Sequence, residues 1–229
     1  MTRTASISRA AFVTGGTGYI GRAVIPALLR RGHRVRALVR SGSERKLPDG
    51  CDAVVGDALN AASFMNAVAP ADTFVQLVGT PHPNPKLAGE FERVDLVSVR
   101  ESAKAAASSG IGHFVYVSVA QPAPIMQAYV NVRAQGEACI RESRIPATFL
   151  RPWYVLGPGH RWPYLILPLY GLLWLMPSKR DTAQRLLPIT LHTMAHAIVA
   201  AVETPPAGET RVWDVRTMRA LSLHPPQAL

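Results

Sequence analysis

The stretch Phe12-Val13-Thr14-Gly15-Gly16-Thr17-Gly18-Tyr19-Ile20-Gly21 decides how this chain of 229 residues is read. An apolar run ends in Thr14, and glycines follow at 15, 18 and 21, with Gly16 opening a second G-x-G-x-x-G register. The apolar periodicity from Tyr19 to Arg31 is helical and is stopped by Gly32. Such a strand, glycine turn and helix cradle a pyrophosphate. The first glycine allows the tight turn, the second lets the backbone come close to the phosphates, and the third lets helix pack on strand.

Outward from this unit, short apolar runs alternate with helical stretches. Strands are expected at Ala11 to Thr14, Val35 to Val39, Ala53 to Val55, Thr73 to Val78, Phe114 to Val117, Thr148 to Leu150 and Val212 to Val215. Helices are expected at Ala61 to Val68, Gly89 to Ser109, Tyr129 to Ser143 and Thr193 to Val202, with a frayed tail from Leu221. Alternation of this kind predicts an α/β fold with a doubly wound, mostly parallel sheet. Beyond Pro152 the texture changes. An uncharged run, Trp162 to Pro177, lies between Arg161 and Lys179-Arg180, and Pro168 and Gly171 interrupt it. The expected division is a nucleotide-binding domain over 1–160 and a small cap or substrate region over 161–229, packed on the same domain.

Composition narrows the class. Apolar residues make up 48% and charged residues only 17%, enough to bury a core and too apolar for disorder. Cys51 and Cys139 fall in different elements without metal-ligand spacing, so no disulfide framework and no metal site is expected. The N-terminus has no apolar secretory core, and the chain reads as cytoplasmic. Of the formal charge of +10, +8 falls in residues 1–50, where ten basic residues face only Glu44 and Asp49. Two readings stay open: a composition bias on a solvated face, or a field aimed at a phosphorylated ligand or an anionic surface. Nucleic acid is not the expected partner, because the cations are spread through strand–helix units without an aromatic stacking platform.

The motif Thr14-Gly15-Gly16-Thr17-Gly18-Tyr19-Ile20-Gly21 resembles that of the short-chain dehydrogenase/reductase superfamily. Its extended and atypical branches include NAD-dependent epimerase/dehydratases, NmrA-like proteins and an accessory subunit of respiratory complex I. The likeness runs over roughly residues 10–160. Gly56-Asp57, with Ala58 after it, matches the segment that lies beside adenine, and Val78-Gly79 the segment under the adenine-side ribose. Tyr116-Val117-Ser118 and Leu150-Arg151-Pro152 follow in order, leading to Gly157-Pro158-Gly159, which resembles the nicotinamide-side loop. The resemblance implies a Rossmann fold and a dinucleotide held by Gly15, Thr17, Gly18, Tyr19, Ile20, Gly21, Asp57, Ala58, Val78, Gly79 and Pro152.

Charge speaks to which dinucleotide. An NAD site commonly places Asp or Glu at the end of the second strand, whereas this chain reads Leu38-Val39-Arg40-Ser41. Arg40 suits a 2′-phosphate, with Ser41 as a neighbouring donor, so NADP(H) is expected over NAD(H). The alternative is an arginine in a solvated loop.

For chemistry, the resemblance implies a tyrosine acid/base with a lysine four residues on, and a serine that orients the substrate oxygen. Here Tyr129 is followed by Arg133, which also contacts the cofactor in this reading, and Ser118 takes the serine's place. Helical spacing sets Arg133 on the face of Tyr129 and supplies a positive charge, but a guanidinium does not relay protons. Tyr129 as a plain helix-start aromatic stays open. His192 and His196 have metal-pair spacing without an accompanying Glu or third ligand, and read as an ordinary helix face. The run 162–177, at 16 residues, is short of the about 20 that span a bilayer. A buried cap, a pocket wall for an apolar small-molecule substrate, and peripheral membrane contact are its three readings. Function is then either an NAD(P)H-dependent oxidoreductase or epimerase-like enzyme acting on a small or apolar carbonyl or hydroxyl compound, or a non-catalytic NADP(H)-binding regulator or assembly protein.

Overall fold

The computed structural model describes residues 8–81, 83–158 and 180–223. The run Trp162 to Pro177, Gly159 and Lys179 lie outside the described residues.

Seven strands form one parallel sheet in the order β3-β2-β1-β4-β5-β6-β9. They are β1 (Ala10–Thr14), β2 (Arg34–Val39), β3 (Cys51–Val55), β4 (Thr73–Gln76), β5 (His113–Val117), β6 (Ala147–Leu150) and β9 (Arg211–Trp213). A separate parallel pair joins β7 (Val155–Leu156) to β8 (Ile189–Thr190). The four strands β1, β4, β5 and β6 are buried at every position, which is what continuous apolar runs in a doubly covered sheet require.

Alternation along each strand sorts the core into two layers. On one side Phe12, Phe74 and Phe114 stand in register across β1, β4 and β5, with ring centroids 5.3 and 5.1 Å apart. This row packs under α2 (Val97–Ser108) and α3 (Gln127–Glu142), against Val99, Ala103 and Ile140. On the other side Val13, Val75 and Val115 meet α1 (Gly21–Arg30) and α5 (Leu191–Glu203) through Val24, Leu28, Met194 and Ile198. Two shorter helices, α4 (Arg180–Arg185) and α6 (Val215–Leu223), complete the described residues. Residues after 180 thus add both a strand to the sheet and a helix to one of its faces.

Several expected elements change. Ala61 to Val68 is not a helix but two 3₁₀ turns, Ala61–Ser63 and Met65–Ala67. Eight residues barely sustain a helix, and the Ser63 hydroxyl competes by bonding the carbonyls of Asn60 and Asp57. The strand expected to reach Val78 stops at Gln76, whose side chain captures the Val78 amide at 3.0 Å. Val215 starts α6 instead of ending a strand, with the Asp214 carboxylate capping Thr217. The helix expected from Gly89 opens with one α-helical turn, Ala88–Glu90, and passes through a π-helical segment, Phe91–Leu96, before α2. Asp95, 1% exposed, lies on its buried face with Phe91, Val99 and Ser102.

Candidate functional site

Strand order reverses about β1, whose neighbours are β2 and β4, and doubly wound sheets bind ligands at such a point beyond the carboxyl ends of their strands. A cleft of about 490 Å³ opens there. The glycine loop and Arg40 line one part of it; Gly79, Ser118, Tyr129, Arg133 and Pro152 line another.

The glycines are required by contact. Gly15 has φ +73°, and a Cβ on it would meet the Leu77–Val78 backbone at 2.8–2.9 Å. A Cβ on Gly21 would sit 2.5 Å from the carbonyl oxygens of both Gly15 and Gly16. Helix α1 starts here with no side-chain cap and no acid in its first turn. Its N-terminal dipole is therefore suited to an anionic ligand, and the cradle fits a dinucleotide pyrophosphate. Gly18, Tyr19 and Ile20 line the cleft, and Thr17 accepts from Arg22 Nε through its carbonyl at 2.8 Å.

Arg40 lies exposed at the rim and Ser41 beside it is exposed too. Asp57, after β3, is also exposed, its carboxylate accepting from the Leu59 amide at 2.9 Å, while Ala58 packs against the aromatic layer. Neither lines the cleft; Leu77 and Gly79 do, on either side of Val78.

At the other end stands a buried polar assembly that residue spacing did not disclose. Arg133 Nη2 donates to Asp95 Oδ1 at 2.6 Å and Nη1 to the Val117 carbonyl at 2.9 Å. Asp95 Oδ2 accepts from the Thr80 amide and hydroxyl at 2.9 and 2.6 Å. A Cβ on Gly79 would fall 2.2 Å from Arg133 Nη2, so glycine is what lets the guanidinium cross the end of β4. A chain of buried bonds continues inward: the Asp95 carbonyl accepts from Ser98 Oγ, which accepts from Gln76 Nε2, and Gln76 Oε1 accepts from the Thr14 hydroxyl.

Tyr129 covers this assembly. Its ring lies edge-on to Phe91 at 5.0 Å, with the Arg133 guanidinium 5.1 Å from its centroid. Burial pushes the Tyr129 phenol above its ordinary value of 10; Arg133 opposes the rise and Asp95 adds to it. Tyr116, below, is pushed up to about 12, mainly by burial. Tyr129 and Arg133 thus come together as spacing predicts, but the arginine is committed to Asp95.

Ser118 is 3% exposed, and its hydroxyl donates to Glu137 Oε1 at 2.6 Å. Glu137 also accepts from Gln121, Arg141 and Arg151; burial acts to raise its carboxyl, but Arg151, Ser118 and Arg141 hold it below the usual range. The serine's proton is therefore committed to Glu137. Trp153, Tyr154 and Val155 also line the cleft, and no motif singled them out. The signal that could have found Asp95 is its helical spacing with Phe91, Val99, Ser102 and Ala106, which puts a carboxylate on the buried face of that helix.

His192 and His196 stack at 6.5 Å on α5, and among the described residues no group of three or more His, Cys, Asp or Glu is placed to hold a metal. No helix among those residues is long and apolar enough to cross a membrane.

Comparison with known proteins agrees with this geometry. A family described as NAD(P)H-binding matches residues 15–205. The chain is 28% identical over 206 residues to a ceramide reductase of Caulobacter vibrioides, covering 89% of this chain and 64% of that protein. It is 27% identical over 168 residues to a 4-hydroxy-2-methyl-3-oxo-4-farnesyl-3,4-dihydroquinoline-1-oxide ketoreductase of Stigmatella aurantiaca, covering 64% of this chain and 50% of that one. The chain thus spans less than two thirds of either relative's length. Among solved structures, the Bordetella bronchiseptica enzyme WbmH in complex with NAD+ aligns with TM-score 0.66 at 20% identity, over 93% of this chain and 78% of that one. A UDP-N-acetylglucosamine 4-epimerase from Bacillus cereus aligns at 0.68 and 17%, over 90% and 79%.

Proposed function

The chain belongs to the NAD(P)H-binding family, within the reductase and epimerase-like branches of the short-chain dehydrogenase/reductase superfamily, and from that premise we propose that it is an NADP(H)-dependent reductase of an apolar carbonyl compound. The observation that carries the reading is one cleft with the glycine cradle at one end and the phenol of Tyr129 at the other. The dinucleotide, when bound, supplies a hydride. Gly15, Gly18 and Gly21 shape the phosphate cradle. Tyr129 gives a proton to the substrate oxygen, and Arg133 and Gly79 form the floor beneath it. The named relatives act on a ceramide and a farnesylated quinoline oxide, and an apolar substrate for this chain extends that pattern.

The NADP(H) preference rests on Arg40 at the cleft rim and on the lack of a carboxylate in Val39-Arg40-Ser41. Fluorescence titration is expected to show tighter NADPH than NADH binding, with Arg40→Ala removing about ten- to a hundred-fold of the difference, the worth of a charged contact to phosphate. An unchanged preference in Arg40→Ala removes Arg40 from the site.

A non-catalytic dinucleotide-binding protein is the second reading, favoured by the commitment of Arg133 to Asp95 and of the Ser118 proton to Glu137. Turnover of an apolar carbonyl panel with NADPH, abolished in Tyr129→Phe while nucleotide binding persists, supports the enzyme. Bound NADPH with no turnover of any member supports the binding protein.

A further inference from the structure

We propose that Asp95 is a positioning residue that sets the pH window of each direction of reaction, by cancelling the charge of Arg133 behind the Tyr129 ring so that the phenol works as the acid of a reduction at neutral pH. The inference rests on the reading of Tyr129 as the proton donor.

The geometry is that of a locked, neutral pair. The side chains of Arg133 and Asp95 are 6% and 0% exposed, so water does not screen either charge. Both oxygens of Asp95 are occupied, one by Arg133 and the other by Thr80 twice, which fixes the carboxylate beside its partner. A lone cation under a phenol stabilises the phenolate and prepares a base; a cation with its counter-ion 2.6 Å away does so only weakly. Among the described residues, the other ionisable or charged groups about Tyr129 are Tyr116 on β5, which burial keeps protonated, and Tyr19, Arg40 and Tyr154, which line the same cleft. Burial does most to raise the Tyr129 phenol; Arg133 lowers it, and Asp95 acts against Arg133.

In the reduction, hydride from the reduced nicotinamide forms the new C–H bond at the carbonyl carbon. The Tyr129 O–H bond breaks, and its proton forms the new O–H bond of the alcohol. The dinucleotide is oxidised, the carbonyl carbon is reduced, and the tyrosinate recovers a proton from water. Alcohol oxidation needs the tyrosinate at the outset and is confined to alkaline solution. The equilibrium is untouched; the pH at which each direction turns over is what Asp95 controls.

The test reads the phenol directly. Tyrosinate absorbance at about 295 nm is titrated in the whole protein, and the difference from Tyr129→Phe isolates Tyr129. Asp95→Asn is expected to move its titration down by about one to three units, and to move the alkaline limb of any carbonyl-reduction profile down with it. Asp95→Asn/Arg133→Gln, which removes both charges, is expected to leave the Tyr129 titration within about half a unit of wild type. It provides the test if the single variant does not fold. A Tyr129 titration unmoved in Asp95→Asn, or raised by a unit or more in the double variant, overturns the proposal. If the titrations move as expected but no carbonyl compound turns over, the charge balance stands and the reductase reading falls.

Discussion

Arg133→Met should be among the most destabilising single changes near the cleft. Methionine keeps most of the arginine stem's volume, so the loss is electrostatic and not one of packing. It leaves the Asp95 carboxylate at 0% side-chain exposure with only the two Thr80 donors, and it takes from the Val117 carbonyl its 2.9 Å partner. Breaking a buried pair from one side costs about 3–5 kcal/mol, because the remaining charge has lost its counter-ion. For a domain of this size each kcal/mol is worth roughly 2–4 °C, so the melting temperature should fall by about 6–20 °C. Urea unfolding of Arg133→Met, Asp95→Asn and the double variant closes the cycle. The double variant should recover most of the loss, since no buried charge remains. A loss under about 1 kcal/mol in Arg133→Met, the range of a surface ion pair, would refute the claim that the pair is desolvated.

Two further outcomes are expected. In Gly21→Ala the new methyl meets two carbonyl oxygens that belong to backbone and have nowhere to move, so the loop must open; dinucleotide affinity should fall at least about tenfold with a stability cost of about 1–3 kcal/mol, read by calorimetric titration and melting. Glu203 ties α5 to α1: burial raises its pKa, but hydrogen bonds from His33 and Arg31 outweigh it and hold it at about 2, against 4.5 for a free side chain. A lowered carboxylate stabilises above its unfolded value, so the contribution, about 1–2 kcal/mol after solvent screening, is fully present above pH 4.5 and lost as pH falls toward 2. Wild type minus Glu203→Gln stability should shrink over that window and stay flat above it.

What the sequence determined by itself was the part governed by short-range pattern. Short continuous apolar runs and helical stretches with period 3.6 are local, and so is the spacing of Gly15, Gly18 and Gly21; together they fix the strand–helix alternation, the parallel sheet and the phosphate cradle. The four-residue step likewise put Arg133 beside Tyr129, as a helix must. The failures were also local in kind. Ala61 to Val68 has helical composition, but Ser63 and the preceding Asn60 bond the backbone and divide it into turns.

The tertiary structure alone decided the partners of the charged groups. Asp95 and Arg133 are 38 residues apart, and Ser118 and Glu137 are 19 apart. Neither pairing has a period, because each depends on how a helix sits over the ends of distant strands. The buried face of the helix that follows Glu90 carries Asp95 under the sheet edge, and the missing side chain of Gly79 lets the guanidinium cross to it. Burial then makes these contacts decisive. In water an arginine below a tyrosine would be a mobile, screened cation, whereas inside this fold it is fixed, paired and unable to release its proton.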